Sequence, residues 1–216
     1  MSLQDELTSL ATTMAASLPD VEKQSIMDAK DAFEQSFDRT AAIQPGQKLP
    51  EFTLSNAVGT EISSVSLLTT GPLLITFYRG SWCPFCNLAL RSLQKHLPQI
   101  KSRGVTLVAI TPELPDFSLS TTEKLSLDFH VLTDKDNKYA SELGLLWRMP
   151  DALRPVYEGA GKDLRVHNGN NEFSVPVTAT VLVDRDGVVR ETFVEPDFMK
   201  RIEPEVVLGW IDGLEK

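Results

Sequence analysis

The feature that most constrains this chain is a Cys-X-X-Cys motif at the junction of a predicted strand and a predicted helix. The motif is formed by Cys83 and Cys86, the two cysteines of the chain. The apolar run at residues 73–78, bounded by a Gly-Pro pair and a Gly-Ser pair, predicts a buried strand. Leucines at helical spacing predict that a helix follows Cys86. The start of such a helix offers unpaired N–H groups and partial positive charge, which favour a thiolate at Cys83.

The residues around the motif predict different roles for the two sulfurs. We expect Cys83, at the helix start, to be the nucleophile and to be more exposed than Cys86, which lies one turn inside. Arg79 is a permanent cation close in sequence, and it further favours the thiolate. Cys86 is then the resolving thiol, placed to close a short disulfide once Cys83 has been oxidised.

Two other interpretations of the motif are a zinc half-site and a pair of ordinary core cysteines. Zinc normally takes four ligands, and the three histidines, His96, His130 and His167, are scattered without ligand-like spacing. The strand-to-helix context of the motif therefore favours redox chemistry. We expect neither a bound metal nor another cofactor.

The charge balance and the cysteine count limit the partners and the compartment. Thirty acidic residues against 21 basic ones leave a net charge of −9, which argues against nucleic acid or an anionic membrane as a partner. No apolar run reaches membrane-spanning length. Asp5 and Glu6 occupy the region where a secretory signal would be basic. Two cysteines are too few for a disulfide scaffold, so we predict a soluble, cytoplasmic protein in a reducing compartment.

The chain divides into a helical N-terminal extension at residues 1–40 and a larger unit at residues 44–216. Apolar residues at helical spacing predict two helices within residues 3–37, separated near Pro19. This helical hairpin contains no cysteine or histidine. We therefore interpret it as a packing element or as the contact of a homodimer, and not as a functional site.

The larger unit alternates predicted strands and helices. A second buried strand at residues 105–111, a helix at 120–129 and a short strand at 130–134 follow the helix of the cysteines. An Asp-Arg-Asp-Gly turn at residues 184–187 lies between two strand-like runs and predicts a hairpin. A final helix is predicted at residues 204–214. This order predicts an α/β fold of the thioredoxin-like type, with a central mixed β-sheet flanked by helices.

Three separated motifs carry a resemblance to a known family. They are F-Y-R-G-S-W-C-P-F-C at residues 77–86, V-P-V-T-A-T-V-L-V-D-R-D-G at residues 175–187 and F-V-E-P-D-F-M-K-R-I-E-P-E at residues 193–205. In this order they resemble the peroxiredoxin-like branch of the alkyl hydroperoxide reductase and thiol-specific antioxidant (AhpC/TSA) superfamily. The resemblance extends from about residue 44 to the C-terminus and leaves the N-terminal helices uncovered.

The resemblance implies a thiol-dependent peroxidase. Cys83 would attack the O–O bond of a small hydroperoxide and become a sulfenic acid, and Cys86 would condense with it to a Cys83–Cys86 disulfide. A thioredoxin or a glutathione-type reductant would then restore the two thiols.

The chain departs from the family pattern next to the reactive cysteine. Typical peroxiredoxins carry a Thr or Ser three residues before that cysteine and a Pro seven residues before it, whereas this chain has Gly80 and Thr76. Ser81 is one residue out of register and is the candidate substitute for the missing hydroxyl. The Cys-X-X-Cys spacing itself is closer to that of thioredoxins and glutaredoxins.

Two further site residues follow from the thioredoxin-like layout. Trp82 precedes the first cysteine, as in thioredoxins, and is a candidate shield of the thiolate or a docking surface for the reductant. Thr178 occupies the position, just before the hairpin, where a thioredoxin-like fold brings backbone close to the cysteine pair.

Two alternatives to the peroxidase stay open on the sequence alone. In the first, Cys83 attacks a protein or glutathione disulfide and Cys86 resolves the mixed disulfide, as in a thioredoxin- or glutaredoxin-like oxidoreductase. In the second, the chain is a non-enzymatic redox sensor or binding module, whose disulfide switches a partner surface.

Overall fold

A computed structural model describes residues 1–214 of the chain. Its helices are α1 (Leu3–Ser17), α2 (Asp20–Ser36), α3 (Ser64–Leu68), α4 (Pro84–Ser102), α5 (Pro115–Leu125), α6 (Lys138–Glu142), α7 (Arg154–Gly159), α8 (Leu164–Asn168) and α9 (Pro204–Asp212). Its strands are β1 (Thr53–Asn56), β2 (Glu61–Ser63), β3 (Leu73–Phe77), β4 (Thr106–Thr111), β5 (His130–Thr133), β6 (Leu146–Arg148), β7 (Ser174–Pro176), β8 (Thr178–Val183) and β9 (Val189–Glu195). Short 3₁₀ turns lie at Lys135–Asn137 and Asp151–Leu153.

The centre of the fold is a seven-stranded mixed sheet in the order β2-β1-β5-β4-β3-β8-β9. Strand β3 runs parallel to β4, and β4 runs parallel to β5. The pairs β3–β8, β8–β9, β1–β5 and β1–β2 are antiparallel. The predicted α/β fold of the thioredoxin-like type, with a parallel β3–β4 pair and a β8–β9 hairpin, is therefore confirmed.

Strand β3 is buried along its whole length because apolar side chains cover both of its faces. Leu73, Ile75 and Phe77 belong to the larger of two apolar clusters, and Leu74 belongs to the other, as the two-residue period of a strand requires. The second cluster also contains Leu93, Leu97 and Ile100 of α4 and Val207 and Ile211 of α9. This packing fixes the position of β3 and α4, the two elements that flank the cysteine motif.

The N-terminal helical hairpin packs directly on the α/β unit. Leu3 and Leu7 of α1 are buried in the larger cluster. Phe33 of α2 stacks on Trp147 with a centroid distance of 4.9 Å. The carboxylate of Glu203 accepts hydrogen bonds from the backbone N–H groups of Leu3 (3.0 Å) and of the residue after it (2.8 Å), at the start of α1. The two helices were predicted; the division into units at residues 40–44 stays a prediction.

One helix lies earlier in the chain than predicted. The helix expected at residues 120–129 spans Pro115–Leu125. It begins at Pro115 because proline suits the first helical turn, and it ends at Ser126, whose φ of 50° is left-handed. Within residues 1–214, none of the helices combines the length and the apolarity needed to span a bilayer.

Candidate active site

The cysteine motif lies where β3 gives way to α4. Cys83 is the N-cap residue of α4, and its sulfur accepts a hydrogen bond from the backbone N–H of Cys86 at 3.4 Å. Pro84 occupies the first turn, where its missing N–H leaves no helical hydrogen bond unmade. The partial positive charge of the helix start therefore acts directly on the Cys83 sulfur.

Arg79 contacts the Cys83 sulfur as the sequence suggested. Its Nη2 lies 3.1 Å from Cys83 Sγ, and the residue is only 4% exposed. The guanidinium carbon lies 4.4 Å from the ring centroid of Phe198 and 5.2 Å from that of Trp82. Such contacts hold a cation in place by attraction to the ring faces. A permanent positive charge is thus fixed beside the sulfur and kept away from water.

Arg201 makes the matching contact with the second sulfur, and sequence reasoning missed it. Its Nη2 lies 3.1 Å from Cys86 Sγ, and its Nη1 donates to the carbonyl oxygens of Phe198 (2.7 Å) and Lys200 (2.6 Å). These two backbone bonds aim the guanidinium at the sulfur. Arg201 is 115 residues from Cys86 in the chain. Its presence in the third family-like motif was the one signal that could have singled it out.

Both sulfurs are buried, which corrects the expectation that Cys83 is the more exposed one. Cys83 is 0% and Cys86 1% exposed, because the end of β3, the start of α4 and the segment around Phe198 enclose them. The two sulfurs lie 2.8 Å apart, with the Cys86 thiol donating to Cys83. Only a small movement is needed for them to react with each other.

The surroundings separate the two sulfurs chemically. Burial opposes ionisation of Cys83, but the thiol proton of Cys86 and the charges of Arg79 and Arg201 hold the pKa of Cys83 well below its usual value. Burial, together with the hydrogen bond that Cys86 donates to Cys83, raises the pKa of Cys86 well above its usual value. Cys83 is therefore the thiolate and Cys86 the thiol of the reduced pair.

Ser81 faces a buried carboxylate and not the sulfur. Its hydroxyl donates to Glu113 Oε1 at 2.6 Å, and its backbone N–H donates to Glu113 Oε2 at 2.7 Å. Glu113 is fully buried just beyond the end of β4, and its Oε1 also lies 2.8 Å from Nδ1 of His167. Sequence reasoning missed Glu113 and His167, although a polar residue after a buried parallel strand is a signal for a site. The three side chains anchor the loop that precedes Cys83.

The structure explains why glycine replaces the usual hydroxyl residue at position 80. Gly80 has a φ of +139°, which side-chain-bearing residues rarely adopt. A Cβ atom there would lie 2.6 Å from Nε1 of Trp82 and 3.0 Å from Oε1 of Glu113. Thr76 is no substitute, because its hydroxyl lies 3.3 Å from the Ala179 carbonyl oxygen, within the sheet.

Trp82 and Thr178 occupy different positions relative to the sulfurs. Trp82 is half-buried between Arg79 and Tyr157, whose ring centroid lies 5.7 Å from its own. Thr178 is buried at the first position of β8, next to Ala179, which pairs with Phe77 at the end of β3. It therefore lies at the same end of the sheet as the cysteine motif, where β3 ends. Among the described residues, Thr178 forms no hydrogen bond with either sulfur.

Residues 1–214 contain no group of three His, Cys, Asp or Glu side chains placed to share a metal ion. The ring of His167 is engaged with Glu113. The donor arrangement of a zinc site, with four ligands around one point, is thus not formed by the cysteine pair.

Comparisons with known proteins agree with this geometry. The model of the AhpC/TSA family matches residues 45–192, more than half of the chain. Peroxiredoxin Bcp of Escherichia coli strain K12 is 23% identical over 169 residues, covering 78% of this chain and 96% of that protein. A putative peroxiredoxin bcp of Helicobacter pylori is 24% identical over 151 residues, covering 70% of this chain and 88% of that protein.

Solved structures share the fold. The crystal structure of peroxidoxin BcpB from Mycobacterium tuberculosis superposes with a TM-score of 0.63 at 16% identity, covering 81% of this chain and 99% of that one. Reduced Prx3 from Vibrio vulnificus, in complex with H₂O₂, gives 0.62 at 20% identity, covering 78% and 99%. The family model, the order of elements and the position of the cysteine pair agree: this chain belongs to the AhpC/TSA family.

Proposed function

We propose that this protein is a thiol-dependent peroxidase of the peroxiredoxin type. The observation that carries the proposal is the position of the Cys83 sulfur at the start of α4 and 3.1 Å from Nη2 of Arg79, surroundings that hold the pKa of Cys83 well below its usual value. A thiolate is the nucleophile of peroxide reduction, and family membership supports the same chemistry.

The first step oxidises Cys83. Its thiolate attacks one oxygen of the hydroperoxide, the O–O bond breaks, and the second oxygen leaves with the electron pair and takes up a proton as an alcohol or water. Cys83 is left as a sulfenic acid. The charge of Arg79 stabilises both the attacking sulfur and the oxygen that becomes negative.

The second step joins the two sulfurs. Cys86 loses its proton and attacks the Cys83 sulfur, which releases its hydroxyl as water, and a Cys83–Cys86 disulfide forms. The 2.8 Å separation of the sulfurs in the reduced protein suits this step. The positive charge of Arg201 stabilises the buried Cys86 thiolate when the proton leaves.

An external dithiol completes the cycle. A thiolate of thioredoxin, or of a first glutathione-type molecule, attacks the Cys83 sulfur; a mixed disulfide forms, and Cys86 leaves as the thiolate that Arg201 stabilises. The second thiol of thioredoxin, or a second glutathione-type molecule, then attacks the reductant's sulfur and releases Cys83 as a thiolate. We place this cycle in the cytoplasm, where such reductants keep thiols reduced. The N-terminal hairpin stays a candidate contact of a homodimer.

The test is steady-state consumption of hydroperoxide with thioredoxin or glutathione as reductant, for the wild type and two variants. Cys83→Ser is expected to abolish turnover. Cys86→Ser is expected to react once and to accumulate a sulfenic acid or a mixed disulfide, which mass spectrometry detects. Full turnover by Cys83→Ser would refute the assignment of the nucleophile.

The second candidate function is thiol–disulfide exchange, which the Cys-Pro-Phe-Cys sequence favours. In that case the reduced protein would reduce insulin disulfides quickly and consume hydroperoxide slowly or not at all. The peroxidase proposal requires the opposite order of rates. The burial of both sulfurs supports the peroxidase, because a small peroxide needs less access than a protein disulfide does.

A further inference from the structure

A cavity of about 120 Å³ lies between the N-terminal hairpin and the cysteine motif. Its roof includes Met14 of α1 and Ile26 of α2, and its floor includes Arg79, Trp82 and Phe85. The roof lies outside residues 45–192, the part of the chain that matches the family model. The cavity is thus formed partly by residues that match the family model and partly by the N-terminal hairpin, which that model does not cover.

We propose that this cavity binds the apolar body of an organic hydroperoxide and that the N-terminal hairpin thereby selects the substrate. The inference rests on the proposed peroxidase function. It assigns the hairpin a place in the substrate site, whereas its sequence predicted only packing or dimerisation.

The floor of the cavity presents hydrogen-bond donors that lack a partner. Arg79 is 4% exposed, and its Nη2 is taken by Cys83. Within residues 1–214, its Nε and Nη1 make no hydrogen bond of ordinary geometry, although the side chain of Tyr157 lies close enough to interact with the guanidinium. Buried donors are nearly always satisfied, because an unmade hydrogen bond is costly. The oxygens of a hydroperoxide can accept these hydrogen bonds. Because Arg79 also contacts Cys83, a hydroperoxide bound to its guanidinium would lie close to the nucleophile.

Most of the remaining walls suit hydrocarbon, and Lys23, Tyr157 and Lys162 are the polar side chains among them. Methionine, isoleucine and phenylalanine side chains surround the space above Arg79, and alanines leave the room for a ligand. An apolar cavity of about 150 Å³ in another protein admits a benzene ring, so this one has the size for a phenyl or a branched alkyl group. Hydrogen peroxide has no such group and gains nothing from the roof. Methionine also adapts its shape to a guest better than a branched residue does.

The chain offers a matched pair of variants on α1. Ala15 lines the cavity, whereas Ala16 beside it is exposed and does not. Ala15→Leu places a larger side chain in the space proposed for the substrate, and Ala16→Leu makes the same chemical change towards solvent. Alanine and leucine both favour helix, so we expect α1 to be preserved in each variant.

The kinetic arm measures kcat/KM for cumene hydroperoxide and for H₂O₂ with each protein. We expect the ratio of the two values to fall about tenfold in Ala15→Leu, the scale on which one methylene matters in an apolar pocket, and to stay within twofold of wild type in Ala16→Leu. Equal ratios in the two variants would overturn the proposal.

A binding arm separates this inference from the proposed function. The alcohol 2-phenyl-2-propanol, the product of cumene hydroperoxide, is titrated into Cys83→Ser protein and followed by ligand-observed NMR. We expect saturable binding that Ala15→Leu weakens and Ala16→Leu does not. If no peroxide is consumed but the alcohol binds as expected, the peroxidase proposal fails and the cavity assignment holds; absence of saturable binding overturns the cavity assignment.

Discussion

Replacement of Arg79 by methionine tests the electrostatic basis of the site. Methionine keeps an unbranched stem against Phe198 but removes the guanidinium that lies 3.1 Å from Cys83 Sγ. At that distance two unit charges interact by about 5 kcal/mol at an effective dielectric constant of 20. Loss of the cation's solvation in the buried site offsets part of this. A hydrogen bond to a charged group is worth about 1.5–3 kcal/mol net, and we use this range.

The expected consequence is a higher pKa of Cys83 and less thiolate at neutral pH. Arg79 also stabilises the oxygen that becomes negative in the transition state; because each 1.36 kcal/mol is a factor of ten, loss of that interaction should lower the second-order rate of Cys83 oxidation by peroxide about 10- to 150-fold at pH 7. Stopped-flow fluorescence, with Trp82 as a reporter beside the motif, measures this rate in a single turnover. Thermal unfolding of both proteins checks that Arg79→Met is folded at the assay temperature.

Arg201→Met is the matched control, because Arg201 holds a cation at the same 3.1 Å but on Cys86. We expect this variant to keep a larger share of the oxidation rate than Arg79→Met does. The reasoning is refuted if Arg79→Met oxidises within twofold of wild type, or if the two variants lose the same factor.

Four further outcomes follow from the same geometry. Arg201→Met should slow the reduction of the preformed disulfide by dithiothreitol about tenfold, measured as thiol release, because Cys86 leaves without its cation; an unchanged rate contradicts this. The oxidation rate of the wild type should stay constant as the pH is lowered through 9.0, the ordinary pKa of a cysteine thiol, and should fall only at more acidic pH. The reason is that the pKa of Cys83 is lowered, so its thiolate persists until the pH reaches that lower pKa. A stopped-flow pH profile in which the rate already falls near pH 9 would contradict this. Gly80→Thr should reduce the free energy of unfolding in urea by at least about 2 kcal/mol, since its Cβ clashes with Trp82 at a positive φ. Glu113→Gln should cost about 1.5–3 kcal/mol in the same assay, because the buried carboxylate loses its charge-assisted bonds to Ser81 and His167.

Local pattern was enough to predict the cysteine motif and to name Arg79 as a candidate partner of Cys83, but it did not place the Arg79 side chain. The buried strand, the helix start at Pro84 and the contact between Arg79 and Cys83 all involve residues within eleven positions of one another. Over such short separations the geometry of a strand followed by a helix determines which side chains can meet. The order of strands and helices likewise predicted the parallel β3–β4 pair, since two strands joined by a crossover helix run parallel in the same sheet.

Tertiary contacts account for what the sequence did not reveal. Arg201 reaches Cys86 because the segment after β9 returns across the start of α4, and no local periodicity encodes that return. Glu113 and His167 meet although they are 54 residues apart. Cys83 was expected to be more exposed than Cys86 because it stands at the helix start, but it is buried in the larger apolar cluster, to which Phe85 and Phe198 also belong. The cavity arises only when the hairpin is packed on the site.

The attachment of α1 to Glu203 has a consequence for protein engineering. Glu203 accepts the first N–H groups of α1, and it also stands at the N-cap position of α9, two residues after Arg201. Deleting the hairpin would uncover the cavity. It would also remove both N–H donors from the carboxylate of Glu203 and so destabilise the segment that orients Arg201. A truncated protein would therefore combine two effects, the loss of the cavity roof and the altered position of Arg201. Single substitutions along α1 can separate them.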